Sequence, residues 1–216
     1  KLADIDSHTV GQWLQREAKD RPTQARLAFA LLRAFLHWCG DQPRFQGLAS
    51  PDACSNRLAK QTLPRKGVKV DCLQREQLPA WFSAVQKIHN PVISAYLQIL
   101  LLTGARRGEL STLQWSDVDD RWGSLAIHDK VEGERVIPLT PYVAYLIDSL
   151  PRRNEWVFSS PTAKSGHLVE PRAQHTRALK VAGIEGLTLH GLRRSFGTLS
   201  EGVEVPAGIV AQIQGH

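Results

Sequence analysis

The sequence predicts a mostly α-helical fold with a small antiparallel β-sheet (α+β), laid out in two domains. Three observations carry that expectation. Apolar residues recur at three- and four-residue spacing in the helical runs of the first part of the chain, the period of a helix with one buried face. Beyond Leu113 the period shortens to that of strands over three short runs. Between residues 62 and 70 a stretch containing Pro64 and Gly67 reads as an extended linker. The boundary is placed near residue 70, giving a helical domain over 1–70 that includes the linker and a second domain over 71–216.

Taken in order, Ser7 and Thr9 offer N-caps for a helix through Trp13, Leu14 and Ala18. Pro22 suits the first turn of a longer helix, whose Leu27, Ala30, Leu31, Ala34, Phe35 and Trp38 are expected to form its buried face. Gly40 and Pro43 end it, and a third helix is expected over Pro51 to Lys60. In the second domain, Leu73 to Ile88 reads as an amphipathic helix with Leu78, Trp81, Phe82 and Val85 inside. Pro91 opens a buried helix running to Thr103-Gly104, where Gly104 lets the backbone turn and another chain come close. The strand-like runs are Trp115 to Asp119, Ser124 to His128 and Glu134 to Pro138, the last two joined by a hairpin turn over Lys130 to Gly133. Helices are expected from Thr140-Pro141 through Leu150, from Pro171 to Val181, from an N-cap at Thr188, and briefly before Gly215.

Composition bounds the class of protein. At 216 residues, 42% hydrophobic and 22% charged, the chain has the make-up of a globular protein with a sizeable core. No window approaches eighteen uncharged apolar residues, so a membrane span is not expected. Cys39, Cys54 and Cys72 are odd in number and lack CxxC spacing, which points to packing in a reducing compartment and not to disulfides or zinc. The chain begins at Lys1, has no secretory h-region and contains no methionine, and so reads as a piece of a longer polypeptide.

The formal charge of +6 is unevenly placed: residues 1–75 hold 13 Lys+Arg against 7 Asp+Glu, leaving 14 against 14 for the rest. The excess is densest at Arg57, Lys60, Arg65, Lys66, Lys69 and Arg75, a footprint for nucleic acid or another acidic surface. The alternative is a solvated linker.

Two stretches carry candidate chemistry. In Thr103-Gly104-Ala105-Arg106-Arg107-Gly108-Glu109-Leu110 an arginine sits at the mouth of the core, where its planar fork suits an oxyanion or phosphate. The plainer alternative is that Arg106 and Arg107 cap a helix and pair with Glu109. In Thr188-Leu189-His190-Gly191-Leu192-Arg193-Arg194 a proton-carrying histidine and an anion-binding arginine lie three apart in the first turns of a helix, whose N-terminus itself favours an anion. The alternative there is a histidine satisfied within the core.

Together these stretches resemble the tyrosine recombinase (phage integrase) family over nearly the whole chain. The first box is Thr103 to Leu110 with its Leu113-Gln114-Trp115-Ser116-Asp117-Val118-Asp119 continuation. The hairpin lysine is Lys130, ahead of Arg135-Val136-Ile137-Pro138-Leu139; the second box is His190 to Arg193, and the glycine-histidine pair is Gly215-His216. Each match is weak alone, but their order makes the set specific. The resemblance implies an N-terminal core-binding domain and an integrase-like catalytic domain, closing on duplex DNA as a C-shaped clamp. It implies site-specific strand exchange through a 3′-phosphotyrosyl link, with no metal or high-energy cofactor. Arg106 and Arg193 would clamp the phosphate's non-bridging oxygens, Lys130 would protonate the leaving 5′-oxygen, His190 would handle the nucleophile's proton, and His216 would hydrogen-bond the phosphate. Arg57, Lys60, Arg65, Lys66, Lys69 and Arg107 are the expected contacts to the DNA backbone, Arg107 and Arg194 also supporting the fold. The expected partners are double-stranded DNA, three further copies in a tetramer, and accessory DNA-bending proteins, in a bacterial or phage-derived setting at the nucleoid. Free of DNA, the 216 residues are expected to be monomeric.

One feature departs from the pattern. The family's tyrosine lies roughly ten residues past the glycine-histidine pair, beyond His216, and Tyr96, Tyr142 and Tyr145 are not placed for that role. These 216 residues are expected to bind DNA without cleaving it. A type IB topoisomerase-like enzyme and a non-catalytic DNA-binding protein remain as alternatives; an RNA or acidic-protein binder leaves the ordered site residues unexplained.

Overall fold

The computed structural model describes residues 1–65, 67, 71–129 and 133–215. The chain divides into two compact units, Lys1–Lys69 and Val70–His216. In the first, helix α1 spans Ser7–Asp20 and helix α2 spans Pro22–Asp41, joined by little more than Arg21. The cap of α1 is Asp6, one residue ahead of the expected Ser7, with its carboxylate accepting from the Thr9 amide at 2.7 Å. A carboxylate outcompetes the hydroxyls because it also meets the positive end of the helix dipole. A 3-10 turn over Pro51–Cys54 precedes α3, Asn56–Thr62, so the single helix expected from Pro51 to Lys60 is two pieces broken at Ser55. Ser55 caps the second piece through the Leu58 amide.

The buried face of α2 is not the expected one. Leu27, Leu31, Phe35 and Trp38 are 45–64% exposed, and Ala30 and Ala34 are exposed with them. Ala25, Phe29, Leu36 and Cys39 enter the core instead, with Leu32 packed against it beside Val10 and Leu14 of α1. The reason lies in the composition of α2: it is apolar on two stripes with the same period, and periodicity alone cannot choose between them. Phe35 and Trp38 stack on each other at 6.2 Å between ring centroids, and Trp38 meets Phe45 at 5.8 Å.

The second unit is organised on α5, Pro91–Thr103, which is buried nearly all round. Asn90 caps it by accepting from the Val92 and Ile93 amides. The helix ends at Gly104 in the left-handed conformation, φ +60°. A Cβ at Gly104 would lie 2.6 Å from the Phe196 ring, so the turn and the close approach both require glycine. A 3-10 turn over Arg75–Gln77 precedes α4, Leu78–Gln86, while α6 is the single turn and a half Arg107–Ser111. The sheet is three-stranded, ordered β1 (Val118–Asp119), β2 (Ser124–Asp129), β3 (Gly133–Pro138), and antiparallel throughout. Trp115–Asp117, expected as strand, is a 3-10 turn closed by Asp117 on the Gln114 amide. Leu125 pairs with Ile137 and Ile127 with Arg135, which puts Leu125, Ile127 and Ile137 in the core and Arg135 on the same inward phase. The remaining helices are α7 (Pro141–Asp148), α8 (Arg172–Ala182), α9 (Leu189–Glu201) and α10 (Ala207–Gln214). Among the described residues no helix is long and apolar enough to cross a membrane.

The two stripes of α2 make opposite predictions. Leu36→Ala opens a cavity and is expected to cost about 2–5 kcal/mol, whereas Leu31→Ala should stay within about 0.5 kcal/mol of the parent. Urea unfolding of the two variants, followed by circular dichroism, reads the difference.

Candidate functional site

Three guanidinium groups converge on the carboxyl end of α10. The last carbonyls of a helix have no intrahelical donor, and here Gly215 turns into the left-handed region at φ +72°. Arg135 Nε donates to the Ile213 carbonyl at 3.0 Å, Arg193 Nη2 to Gln214 at 2.7 Å, and Arg106 Nη2 to Gly215 at 3.1 Å. Three consecutive carbonyls thus take three arginines from three different elements, at the negative end of the helix dipole.

Arg106 enters from the turn after Gly104, where it occupies the N-cap of α6. Its backbone amide and its Nη1 both bind Glu109, at 2.8 and 2.7 Å, so the cap-and-pair alternative describes part of what it does. The same Nη1 also reaches Asp129 at the end of β2, at 2.5 Å. Glu109 is 6% exposed and divides its carboxylate between Arg106 and Arg135 Nη2, the latter at 2.5 Å. Two carboxylates therefore sit among two guanidinium groups and compensate their charge. Arg106 remains 37% exposed at the rim of this network.

Arg193 comes from α9 and is 4% exposed. Its Nη1 donates to the Gly104 carbonyl at 2.7 Å, while Gln214 returns a bond from its side-chain amide to the Arg193 carbonyl at 2.8 Å. The two sequence boxes are thus sewn to each other and to the end of α10. His190 is exposed, three residues ahead of the buried arginine on α9. Lys130 and His216, expected at this site, lie outside the described residues, as do Lys66 and Lys69.

The N-terminus of α9, expected to await an external anion, already faces one. Thr188 caps it by accepting from the Gly191 amide at 2.9 Å and donates its hydroxyl to Asp71 at 2.7 Å. Arg194 pairs with the other Asp71 oxygen. Burial alone would push the Asp71 carboxyl up, but the hydrogen bonds from Thr188 and Arg194 outweigh it and hold the group below the usual carboxylate range. Gly191 lets the Asp71 backbone come this near, since a Cβ there would stand 2.4 Å from the Asp71 carbonyl oxygen. The Leu73 amide adds a bond to the Ser195 hydroxyl at 2.7 Å.

Arg107 pairs with Glu170 at 3.2 Å. Arg57, Lys60 and Arg65 are exposed on and after α3. The Tyr96 hydroxyl is pushed up by burial and donates to the Arg107 carbonyl at 2.8 Å. Tyr142 donates to Gln98 at 2.7 Å, and Tyr145 stacks on Tyr142. Among the described residues no three His, Cys, Asp or Glu side chains gather as a metal site needs.

Sequence reasoning assigned no role to Asp71, Asp129, Arg135 or Gln214. The signal for Arg135 was present: a charge two residues before Ile137 on an alternating strand must point inward with it and find a partner.

The Asp71 latch is open to test. Its lowered carboxyl contributes stability that is fully present above about pH 4, the unfolded value, and is lost as pH falls through the lower folded value. Asp71→Asn is therefore expected to cost about 1–3 kcal/mol near neutral pH and progressively less below pH 4, read by urea unfolding between pH 2.5 and 7.

Comparison with known proteins follows the same division. Residues 1–61 match the phage integrase core-binding domain and residues 71–216 the phage integrase family. The chain is 50% identical to the prophage integrase IntF of Escherichia coli (strain K12), over 100% of its own length and 48% of that protein's. It is 29% identical to the tyrosine recombinase XerC of Pediococcus pentosaceus, over 61% of its length and 47% of that protein's. The chain spans about half the length of these curated relatives. Its fold is similar to that of a lambda integrase tetramer bound to a Holliday junction, with a TM-score of 0.75 and 18% identity over 100% of this chain and 65% of that one. It is also similar to the Tn1549 transposon integrase in complex with a circular intermediate DNA, with a TM-score of 0.80 and 14% identity over 100% of this chain and 79% of that one. On the match over residues 71–216 and the identity to IntF, the chain belongs to the phage integrase family.

Proposed function

We propose that the whole protein carries out site-specific DNA recombination by cleaving and rejoining strands through a 3′-phosphotyrosyl intermediate. The observation that carries this reading is the convergence of Arg106 and Arg193, from two separated boxes, on adjacent carbonyls of one helix end. In the reaction a tyrosine oxygen attacks the scissile phosphorus, the bond to the 5′-oxygen breaks, and the 5′-hydroxyl leaves. A 5′-hydroxyl from the partner strand then attacks the phosphotyrosine and releases the tyrosine. One phosphodiester is exchanged for another, so no outside energy is consumed.

In this reading Arg106 and Arg193 meet the non-bridging oxygens as negative charge builds. Their bonds to Gly215, Gln214 and Gly104 fix the guanidinium planes in advance, which removes reorganisation from the barrier. His190 takes the tyrosine's proton, Lys130 gives one to the leaving oxygen, and His216 donates to the phosphate. Tyr96, Tyr142 and Tyr145 have no part as nucleophile. Two of their hydroxyls are engaged on the Arg107 carbonyl and on Gln98, and Tyr145 lies on the surface of α7. Double-stranded DNA is the partner, gripped through phosphates by Arg57, Lys60, Arg65, Lys66, Lys69 and Arg107, with a tetramer forming on two duplexes and accessory proteins bending them. The site of action is the nucleoid of a bacterial host.

Trapping decides this. The whole protein, incubated with a pool of randomised duplexes and denatured, should retain DNA as a covalent phosphotyrosine adduct. Arg106→Lys and Arg193→Lys are each expected to lower adduct formation by about 10²–10³-fold. Absence of any adduct from the whole wild-type protein would sink the reading. Binding should also weaken with salt, and each of Arg57, Lys60 and Arg65 changed to Ala should lower the slope of log K against log salt by about 0.9.

A further inference from the structure

We propose that Arg135 is a positioning residue of the strand-exchange site, locking the paired strands β2 and β3, the Arg106 box and the Gly215 end of α10 into one register. The inference rests on the recombinase reading, and adds to it a residue that touches neither DNA nor the reacting atoms.

The geometry is that of a three-way joint. Arg135 lies on β3, paired with Ile127 of β2 and five residues past Lys130. Its side chain is 14% exposed, far inside the range usual for an arginine. Nη2 binds Glu109, whose other oxygen holds Arg106, and Nε binds the Ile213 carbonyl. The Arg135 side chain also packs closely on Gly215: a Cβ there would stand 3.1 Å from Nη1 and 3.3 Å from Cζ. Gly215 is thus held between Arg106 on its carbonyl and Arg135 on its α-carbon.

Nη1 is buried and, among the described residues, has no hydrogen-bond partner. A buried N–H left unmade works against stability. A residue kept only for stability has no reason to carry that penalty, whereas one kept for geometry needs the whole fork. Nε and Nη2 must reach Ile213 and Glu109 together, and a lysine, which presents a single point charge, cannot span both. Without the joint, the paired strands and α10 keep their own folds but lose their common register at Arg106. In an active site, displacement of this kind costs rate far more than affinity.

The test uses the whole protein and a nicked duplex of the sequence that it retains from a randomised pool. Arg135→Lys keeps the charge opposite Glu109, and Arg135→Gln removes it. For Arg135→Lys the rate of covalent adduct formation is expected to fall at least tenfold, while the duplex Kd changes less than threefold and Tm by a few degrees. Combined with Glu109→Gln, Arg135→Lys should slow cleavage little further, because both act through the same joint. Cleavage by Arg135→Lys within twofold of wild type would overturn the proposal. So would a collapse of Tm in both Arg135→Lys and Arg135→Gln, with rate and affinity lost in parallel, since that is the signature of a stability role. A wild-type protein that forms no adduct fails the recombinase reading itself, which separates the two failures.

Discussion

The end of a helix leaves carbonyl groups with no donor of their own, and the second unit of this protein is arranged around satisfying one such end. Ile213, Gln214 and Gly215 each accept from a different arginine, and those arginines belong to β3, to α9 and to the turn after α5. The sheet, the buried helices and the end of α10 are thereby referred to a single point. Water would satisfy the same carbonyls equally well in energy. It would not hold three guanidinium groups at defined positions.

Charge limits how such a cluster can be built. Arginines gathered within a few ångströms repel one another, so Glu109 and Asp129 stand among Arg106 and Arg135 as counter-charges. Buried ion pairs of this kind roughly break even against the desolvation of their members, so the network is better understood as a device for geometry than as a source of stability. Arg106 is the most exposed member of the cluster, while Arg193 and the Glu109 side chain are buried.

How much of this was legible in the sequence depended on the distance over which each signal acts. The turn at Gly104, the cap at Thr188, the buried α5 and the antiparallel hairpin strands are set by neighbours a few residues away, and all were readable. The order of the boxes singled out Arg106 and Arg193, which the fold brings onto adjacent carbonyls at the end of α10. The latch of Thr188 on Asp71 spans 117 residues, and nothing local announces it. The same holds for Arg135 on Ile213, 78 residues apart. The buried face of α2 failed for another reason: Leu27, Leu31, Phe35 and Trp38 form as good a stripe as Ala25, Phe29, Leu36 and Cys39, and the packing of α1 and of the Pro51–Cys54 turn decides between them. The helix α6 illustrates a mixed case, since Arg106 is both its cap and a member of the site, and neither description excludes the other.

The seating of Asp71 on the start of α9 has a consequence for protein engineering. Residues from Asp71 onward belong structurally to the helix that carries His190 and Arg193, because Asp71 and Leu73 close its first turns through Thr188, Arg194 and Ser195. A chimera that grafts another N-terminal unit onto residues 71–216 has its natural splice point just ahead of Asp71. A junction only a few residues later, after Leu73, would deliver an intact set of boxes on a helix with a frayed beginning.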